Sequence, residues 1–204
     1  MHKESLVRRC VTGLICLLLA ACGEPGFRPL AAGETILAFG DSLTEGRGVN
    51  PAQSYPSVLA SLSGHPVING GVSGELSRAG RARLPGLLAE HRPALVILLE
   101  GGNDILHGSG EGELKANLAA MIEAVQGSGA QVLLVAVPRK SLFADGAPLY
   151  GELAEQYGLV LDNDSLGELL RTPGLKSDAV HLNAQGYGAL AERLHRLLQA
   201  RGAR

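Results

Sequence analysis

Short apolar runs alternate with longer amphipathic runs from residue 35 onward. In two of the short runs, Leu95–Leu99 and Val132–Val137, apolar residues follow one another without a polar break. Such runs are typical of strands that helices cover on both faces. The pattern therefore predicts five buried strands, within Thr35–Gly40, Val67–Gly70, Ala94–Gly101, Gln131–Val137 and Leu159–Leu161.

The segments between and after these strands have helical spacing. In the last of them, Leu190, Leu194, Leu197 and Leu198 fall on one face of a helix. Strand–helix alternation of this length indicates a parallel sheet with right-handed crossovers. We therefore expect an α/β fold, a three-layer α/β/α sandwich around a parallel five-stranded sheet. The predicted helices are Ser54–Ser63, Ser77–His91, Gly112–Gly127, Pro148–Tyr157 and Asn183–Arg201.

Composition narrows the class of protein only a little. A chain of 204 residues suits one domain, and its 46% hydrophobic and 19% charged residues are ordinary for a globular protein. A formal net charge of −2 gives no basic footprint for nucleic acid, so we expect no nucleic-acid partner.

The amino terminus has the layout of a secretory signal. Lys3, Arg8 and Arg9 precede the uncharged apolar run Cys10–Ala21. That run is shorter than the roughly 20 residues of a membrane span, and small residues precede a break. Residues 1–21 are therefore predicted to be a signal peptide.

The break itself reads Leu19-Ala20-Ala21-Cys22 and resembles the lipobox of bacterial lipoproteins. The resemblance implies cleavage before Cys22, acylation of Cys22, a short tether over residues 22–33 and a folded domain over 34–204. Gly23 resembles the residue that follows the cysteine in lipoproteins sent to the outer membrane. We therefore expect a lipid anchor in the bacterial cell envelope, facing the periplasm. An ordinary signal peptide that contains a cysteine, or an uncleaved anchor, is the alternative.

Four polar blocks stand at the ends of the predicted strands or before the last helix. Because ligands bind beyond the carboxyl ends of strands in such a sheet, we expect these blocks to lie together. In their order and spacing, the four blocks resemble those of the GDSL, or SGNH, hydrolase family, and the resemblance extends from Thr35 to about Leu198. The blocks are Phe39-Gly40-Asp41-Ser42-Leu43-Thr44, Asn69-Gly70-Gly71-Val72-Ser73-Gly74, Glu100-Gly101-Gly102-Asn103-Asp104 and Asp178-Ala179-Val180-His181-Leu182-Asn183.

The resemblance implies a flavodoxin-like fold and a serine hydrolase of esters or thioesters. A serine hydroxyl needs a base to remove its proton, and the base needs a carboxylate to orient it. Ser42 would be the nucleophile, His181 the base and Asp178 the carboxylate. The expected oxyanion donors are the backbone N–H at Ser42 and, by resemblance, the backbone N–H of Gly74 and the amide of Asn103.

The segment after the fourth strand is the expected wall of the substrate pocket. Leu142 and Phe143 suit an acyl chain, and Arg139 and Lys140 suit a phosphate or carboxylate. The expected substrates are lysophospholipids or aryl and acyl esters, with a carbohydrate or peptidoglycan O-acetylester as the alternative.

Three further readings stay open. Each block alone could be a helix cap or a turn. A metal-dependent phosphatase could use five oxygen and nitrogen ligands of these blocks, although no paired-ligand spacing supports it. A non-catalytic lipoprotein could keep the fold, but it has no need of the full set of catalytic residues.

No cofactor is expected, and a monomer is the expectation for the assembly. The five candidate metal ligands are Asp41, Glu100, Asp104, Asp178 and His181.

Overall fold

The computed structural model describes residues 24–139 and 146–203. Its strands are β1 (Ile36–Gly40), β2 (Val67–Gly71), β3 (Leu95–Leu99), β4 (Gln131–Val135) and β5 (Val160–Asp162). Its helices are α1 (Ser42–Glu45), α2 (Tyr55–Ser63), α3 (Ser77–His91), α4 (Gly102–His107), α5 (Glu111–Gly127), α6 (Pro148–Tyr157), α7 (Ser165–Arg171) and α8 (Ala184–Ala200), with one 3₁₀ turn at Pro51–Gln53.

The five strands form one parallel sheet in the order β2-β1-β3-β4-β5. This is the flavodoxin-like order, in which the chain moves outward from β1 in both directions. The ligand crevice of such a sheet opens at the carboxyl ends of β1 and β3, where the order reverses. The predicted parallel five-stranded sheet is confirmed.

Helices cover both faces of the sheet. Helices α2 and α8 pack together on one face, and α3 and α5 pack together on the other, with α6 beside α5. Strands β1 and β3 are fully buried between these layers, which explains their unbroken apolar sequences. The three-layer α/β/α sandwich is therefore confirmed.

Three short helices depart from the expected pattern. Helix α4 begins inside the block Gly101–Asp104, for which a simple turn is the alternative interpretation of the sequence. Helices α1 and α7 span only four and seven residues. Segments this short hold too few residues for an apolar stripe to repeat. Each of them nevertheless follows the carboxyl end of a strand, which places all three at the same end of the sheet as the crevice.

Residues 24–33, here called the amino-terminal strap, pack at the amino-terminal ends of the strands, opposite the crevice. The backbone N–H of Phe27 donates to the carbonyl of Arg201 (2.7 Å), and that of Arg28 donates to Oε1 of Gln131 (2.6 Å). Leu30 is 6% exposed and joins the hydrophobic core. Since Gln131 is the first residue of β4, the strap lies at the amino ends of the strands.

The predicted signal peptide, residues 1–21, and the predicted lipidation site, Cys22, lie outside the described residues. Within residues 24–139 and 146–203, no helix combines the length and apolar character needed to cross a bilayer.

Candidate active site

Ser42 is placed by a tight junction between β1 and α1. A Cβ at residue 40 would lie 1.9 Å from the carbonyl oxygen of Leu99, so only glycine fits at the end of β1. The carboxylate of Asp41 accepts a hydrogen bond from the N–H of Leu43 (3.0 Å) and caps α1. Ser42 therefore starts a helix at the mouth of the crevice, with 8% of its surface exposed.

Ser42, His181 and Asp178 form one hydrogen-bonded chain. Oγ of Ser42 lies 2.9 Å from Nε2 of His181, and Nδ1 of the same ring lies 2.8 Å from Oδ2 of Asp178. A carboxylate at Nδ1 holds the proton on that nitrogen, which leaves Nε2 as the acceptor for the serine hydroxyl. The three side chains can thus draw the proton away from Ser42.

The loop before α8 holds Asp178 and His181 in this geometry. The other carboxylate oxygen of Asp178 accepts from the N–H groups of Val180 and His181, each at 2.8 Å. Partial burial pushes the pKa of Asp178 upward, but these N–H groups and the His181 ring together outweigh it and keep the pKa below its ordinary value. Asp178 is therefore held as the charged partner of the imidazole.

Two backbone N–H groups and one side-chain amide are the expected oxyanion donors. The backbone N–H groups of Ser42 and Gly74 have no assigned acceptor among the described residues, and Gly74 adopts φ +78°, which favours glycine. Nδ2 of Asn103 donates to the carbonyl of Glu75 (2.9 Å) and, more weakly, to Oδ2 of Asp41 (3.3 Å). The longer contact is the one that an oxyanion could replace.

A buried polar network that the sequence did not reveal supports this amide. The carboxylate of Asp104 accepts from the N–H (2.8 Å) and hydroxyl (2.7 Å) of Ser77, which in turn accepts from Asn117 (3.1 Å). These contacts tie the start of α4 to α3 and α5. They fix Asn103, the residue before Asp104, against the crevice.

Two carboxyl groups behind the crevice have raised pKa values. Burial raises the pKa of Asp41 to about 6, against the opposing effects of the Leu43 N–H and His181. Burial, followed by the nearby charges of Asp41, Glu75 and Asp104, raises the pKa of Glu100 to about 9. Neither carboxyl oxygen of Glu100 has a hydrogen-bond partner among the described residues. Glu100 is therefore a neutral acid at pH 7.

The five candidate metal ligands do not come together as a binding set. The carboxylate of Asp104 is hydrogen-bonded to Ser77, and that of Asp178 is hydrogen-bonded to His181. Glu100 is fully buried in the protein interior. Across the described ranges, no group of three or more His, Cys, Asp or Glu side chains is arranged to hold a metal ion.

The expected pocket wall is only partly covered by the structure. Leu142 and Phe143 lie outside the described residues; Pro138 and Gly146, which flank the gap, pair through an antiparallel bridge. A groove of about 880 Å³ opens at the far pole of the molecule, between residues such as Thr35, Ala94 and Gly129. None of the predicted catalytic residues lines that groove, so it is separate from the crevice.

Comparisons with known proteins agree with this fold. The model of the GDSL-like lipase/acylhydrolase family matches residues 38–189. Esterase TesA of Pseudomonas aeruginosa is 39% identical over 112 residues, which are 52% of this chain and 56% of that protein. The thioesterase 1/protease 1/lysophospholipase L1 of Escherichia coli K12 is 28% identical over 177 residues, 83% of this chain and 85% of that protein.

A solved structure gives the same result in three dimensions. A crystal structure of TesA superposes with a TM-score of 0.73 at 30% identity, covering 82% of this chain and 99% of that one. The class defined by fold and family is that of the carboxylic ester hydrolases. The chain belongs to the GDSL-like lipase/acylhydrolase family, as the four sequence blocks predict.

Proposed function

We propose that this protein is a serine esterase that cleaves acyl esters or thioesters through a covalent acyl-enzyme on Ser42. The observation that supports it most directly is the hydrogen-bonded chain from Ser42 through His181 to Asp178. This chain stands at the carboxyl ends of the strands, on a fold shared with esterases.

The geometry supports a two-step acyl transfer. Oγ of Ser42 attacks the acyl carbonyl while its proton passes to Nε2 of His181, and Asp178 stabilises the resulting imidazolium. The oxyanion takes hydrogen bonds from the N–H groups of Ser42 and Gly74 and from Asn103. His181 then protonates the leaving alcohol or thiol. Water, deprotonated by His181, releases the acid and restores Ser42.

The substrate class follows from the relatives. One relative is named an esterase, another a thioesterase and lysophospholipase, and a third an arylesterase, so we propose aryl or acyl esters, including lysophospholipids, as substrates. Ready release of acetate from carbohydrate with little activity on longer chains would instead indicate an O-acetylesterase.

The envelope location is a second part of the proposal. The lipobox-like Leu19–Cys22 and the preceding basic and apolar segments support export, cleavage and acylation of Cys22. Cys10 and Cys16 leave with the signal peptide, so the processed chain keeps Cys22 as its single cysteine and contains no internal disulfide.

Replacing Ser42 tests the mechanism. Ser42→Ala should lower kcat on p-nitrophenyl acetate, butyrate and octanoate by about 10⁴-fold or more, because the nucleophile is gone. Ser61→Ala removes an exposed hydroxyl on α2 and serves as the matched control with unchanged kcat. A fluorophosphonate should add its mass to the wild type and not to Ser42→Ala.

The same assay includes EDTA. Activity that survives EDTA and collapses in Ser42→Ala supports the serine mechanism. Activity that persists in Ser42→Ala, or disappears with EDTA, contradicts it and favours the metal alternative.

A further inference from the structure

The amino-terminal strap joins the folded domain at one pole only. Besides the Phe27 and Arg28 contacts, Nη1 of Arg201 lies 2.5 Å from Oε2 of Glu24, and Nε2 of Gln131 donates to the carbonyl of Arg28 (3.2 Å). Arg201 directly follows the last residue of α8, and Gln131 begins β4. The first described residue, Glu24, is therefore held at the amino ends of the strands.

The catalytic crevice lies at the other pole. Ser42 follows the carboxyl end of β1, and Asn103 follows that of β3. The two poles are separated by at least the length of a strand. In β1, the four residue steps from Ile36 to Gly40 span about 13 Å. Helix α5 runs between the same poles: it begins shortly after α4, which follows the carboxyl end of β3, and it ends at Gly127, which lines the far groove together with Arg28 of the strap.

Covalent geometry limits how far Cys22 can be from the strap. Cys22 precedes Glu24 by two residues, and two extended residues span about 7 Å at most. While Glu24 stays paired with Arg201, Cys22 therefore stays on the strap side of the domain, and the point at which acyl chains attach is kept away from the crevice pole.

We propose that the docked strap fixes the orientation of the anchored enzyme, so that its crevice faces away from the membrane that holds Cys22. This inference rests on the proposed esterase function and lipid anchor. The substrates are then acyl esters that arrive from the water, and the lipids of the anchoring leaflet are poor substrates. A tether raises the effective concentration of a neighbouring substrate only when its geometry allows both contacts at once.

Energy transfer measures the orientation directly. The full chain is expressed in bacteria, processed, purified with its anchor and reconstituted into phosphatidylcholine vesicles that contain headgroup-labelled acceptor lipid. Donor dye is placed at one end of α5, in Glu111→Cys or Gly127→Cys; both positions are exposed, and α5 separates them by about 24 Å. The acylated Cys22 thiol does not react with the dye.

The docked strap predicts unequal transfer. The dye at residue 127 should transfer strongly and the dye at residue 111 weakly. A 20-residue Gly/Ser insertion after Gly23 has an r.m.s. span of about 25 Å and should remove the difference, because the domain can then turn over. The same 20 residues appended after Arg204 are the matched control and should leave the difference intact. Equal transfer from both positions without the insertion would overturn the proposal.

Activity gives the second readout. Water-soluble p-nitrophenyl butyrate should be cleaved equally by both length-matched proteins. On p-nitrophenyl palmitate placed in the anchoring bilayer, the insertion after Gly23 should raise the rate about tenfold or more over the appended control. Equal rates on the bilayer ester would contradict the inferred orientation.

Two further results separate this inference from the proposals beneath it. If the purified protein lacks the mass of an acylated Cys22, the anchor and therefore the orientation are wrong, while the esterase proposal stands. If Ser42→Ala retains the butyrate activity, the esterase mechanism fails, and the energy-transfer result still decides the orientation.

Discussion

Glu100 is a single buried carboxyl group that affects the charge behind the crevice. It directly follows β3 and has no exposed surface, and Asp41, Glu75 and Asp104 all lie close enough to oppose its ionisation. In the proposed mechanism, a neutral acid at this position avoids adding a negative charge behind the place where the oxyanion develops. Burial of an unpartnered carboxyl group nevertheless lowers the free energy of unfolding.

Glu100→Gln should reveal this cost through its pH dependence. The wild-type pKa rises from 4.5 in the unfolded chain to about 9 in the folded protein. Above pH 4.5 only the unfolded chain releases the proton, so wild-type stability falls as pH rises toward 9. Glutamine does not titrate, and its stability advantage should grow by about 1 kcal/mol per pH unit between pH 5 and pH 8. Urea unfolding of both proteins at these pH values measures it; a constant difference would show that Glu100 is ionised in the folded protein.

At the scale of elements, the long segments could be predicted well and the short ones could not. The bounds of α3 and α6 agree with the sequence pattern, since an apolar stripe repeats several times within ten or fifteen residues. Helices α1 and α4 depend on contacts with the sheet instead. Gly71 illustrates this, because a Cβ there would lie 2.0 Å from the backbone nitrogen of Glu45 in α1.

The candidate site divides in the same way. Ser42, Asp178 and His181 could be predicted to lie together because each stands in a short block with characteristic neighbours, and the structure brings them into contact. The network of Ser77, Asp104 and Asn117 has no such local signal: its members are 27 and 40 residues apart and meet only after α3, α4 and α5 pack. Contacts of that kind depend on the fold as a whole.

Two glycines of α8 should respond in opposite ways to the same change. A Cβ at Gly186 would lie 2.2 Å from the carbonyl oxygen of Leu175, whereas a Cβ at Gly188 meets nothing within 4 Å. We expect Gly186→Ala to destabilise the protein by about 2 kcal/mol or more through overpacking. Gly188→Ala should stabilise it by about 0.5–1 kcal/mol through helix propensity. Thermal unfolding measures both, and a stabilising Gly186→Ala would show that the Leu175 loop moves aside freely.

For the whole molecule, the amino-terminal strap adds contacts to the folded domain. The predicted tether covers residues 22–33, and within it Phe27 and Leu30 pack with the core. The strap also connects distant parts of the chain, because it bonds both to β4 and to the end of α8. It closes the pole of the sheet that the active site does not use.

Leu30→Ala should therefore weaken the whole fold. Removing a side chain that is 6% exposed leaves a cavity against the core, and we expect a loss of about 2–3 kcal/mol in the free energy of unfolding. Leu62→Ala is the matched control: Leu62 is 41% exposed on α2, and its truncation should change stability by about 0.5 kcal/mol or less. Urea denaturation followed by circular dichroism compares them. Equal changes in the free energy of unfolding for the two variants would mean that packing of the strap does not stabilise the core.

The separation of Ser42 from His181 also imposes an order in time. The two residues that share a proton in the proposed mechanism are 139 positions apart, and the proposed base lies just before the last helix. A ribosome that has passed residue 170 has made the proposed nucleophile, all five strands and the three expected oxyanion donors, but not the proposed base, His181. On the proposed mechanism, a chain that ends before residue 181 has no base and should not hydrolyse esters, whatever part of the fold it retains.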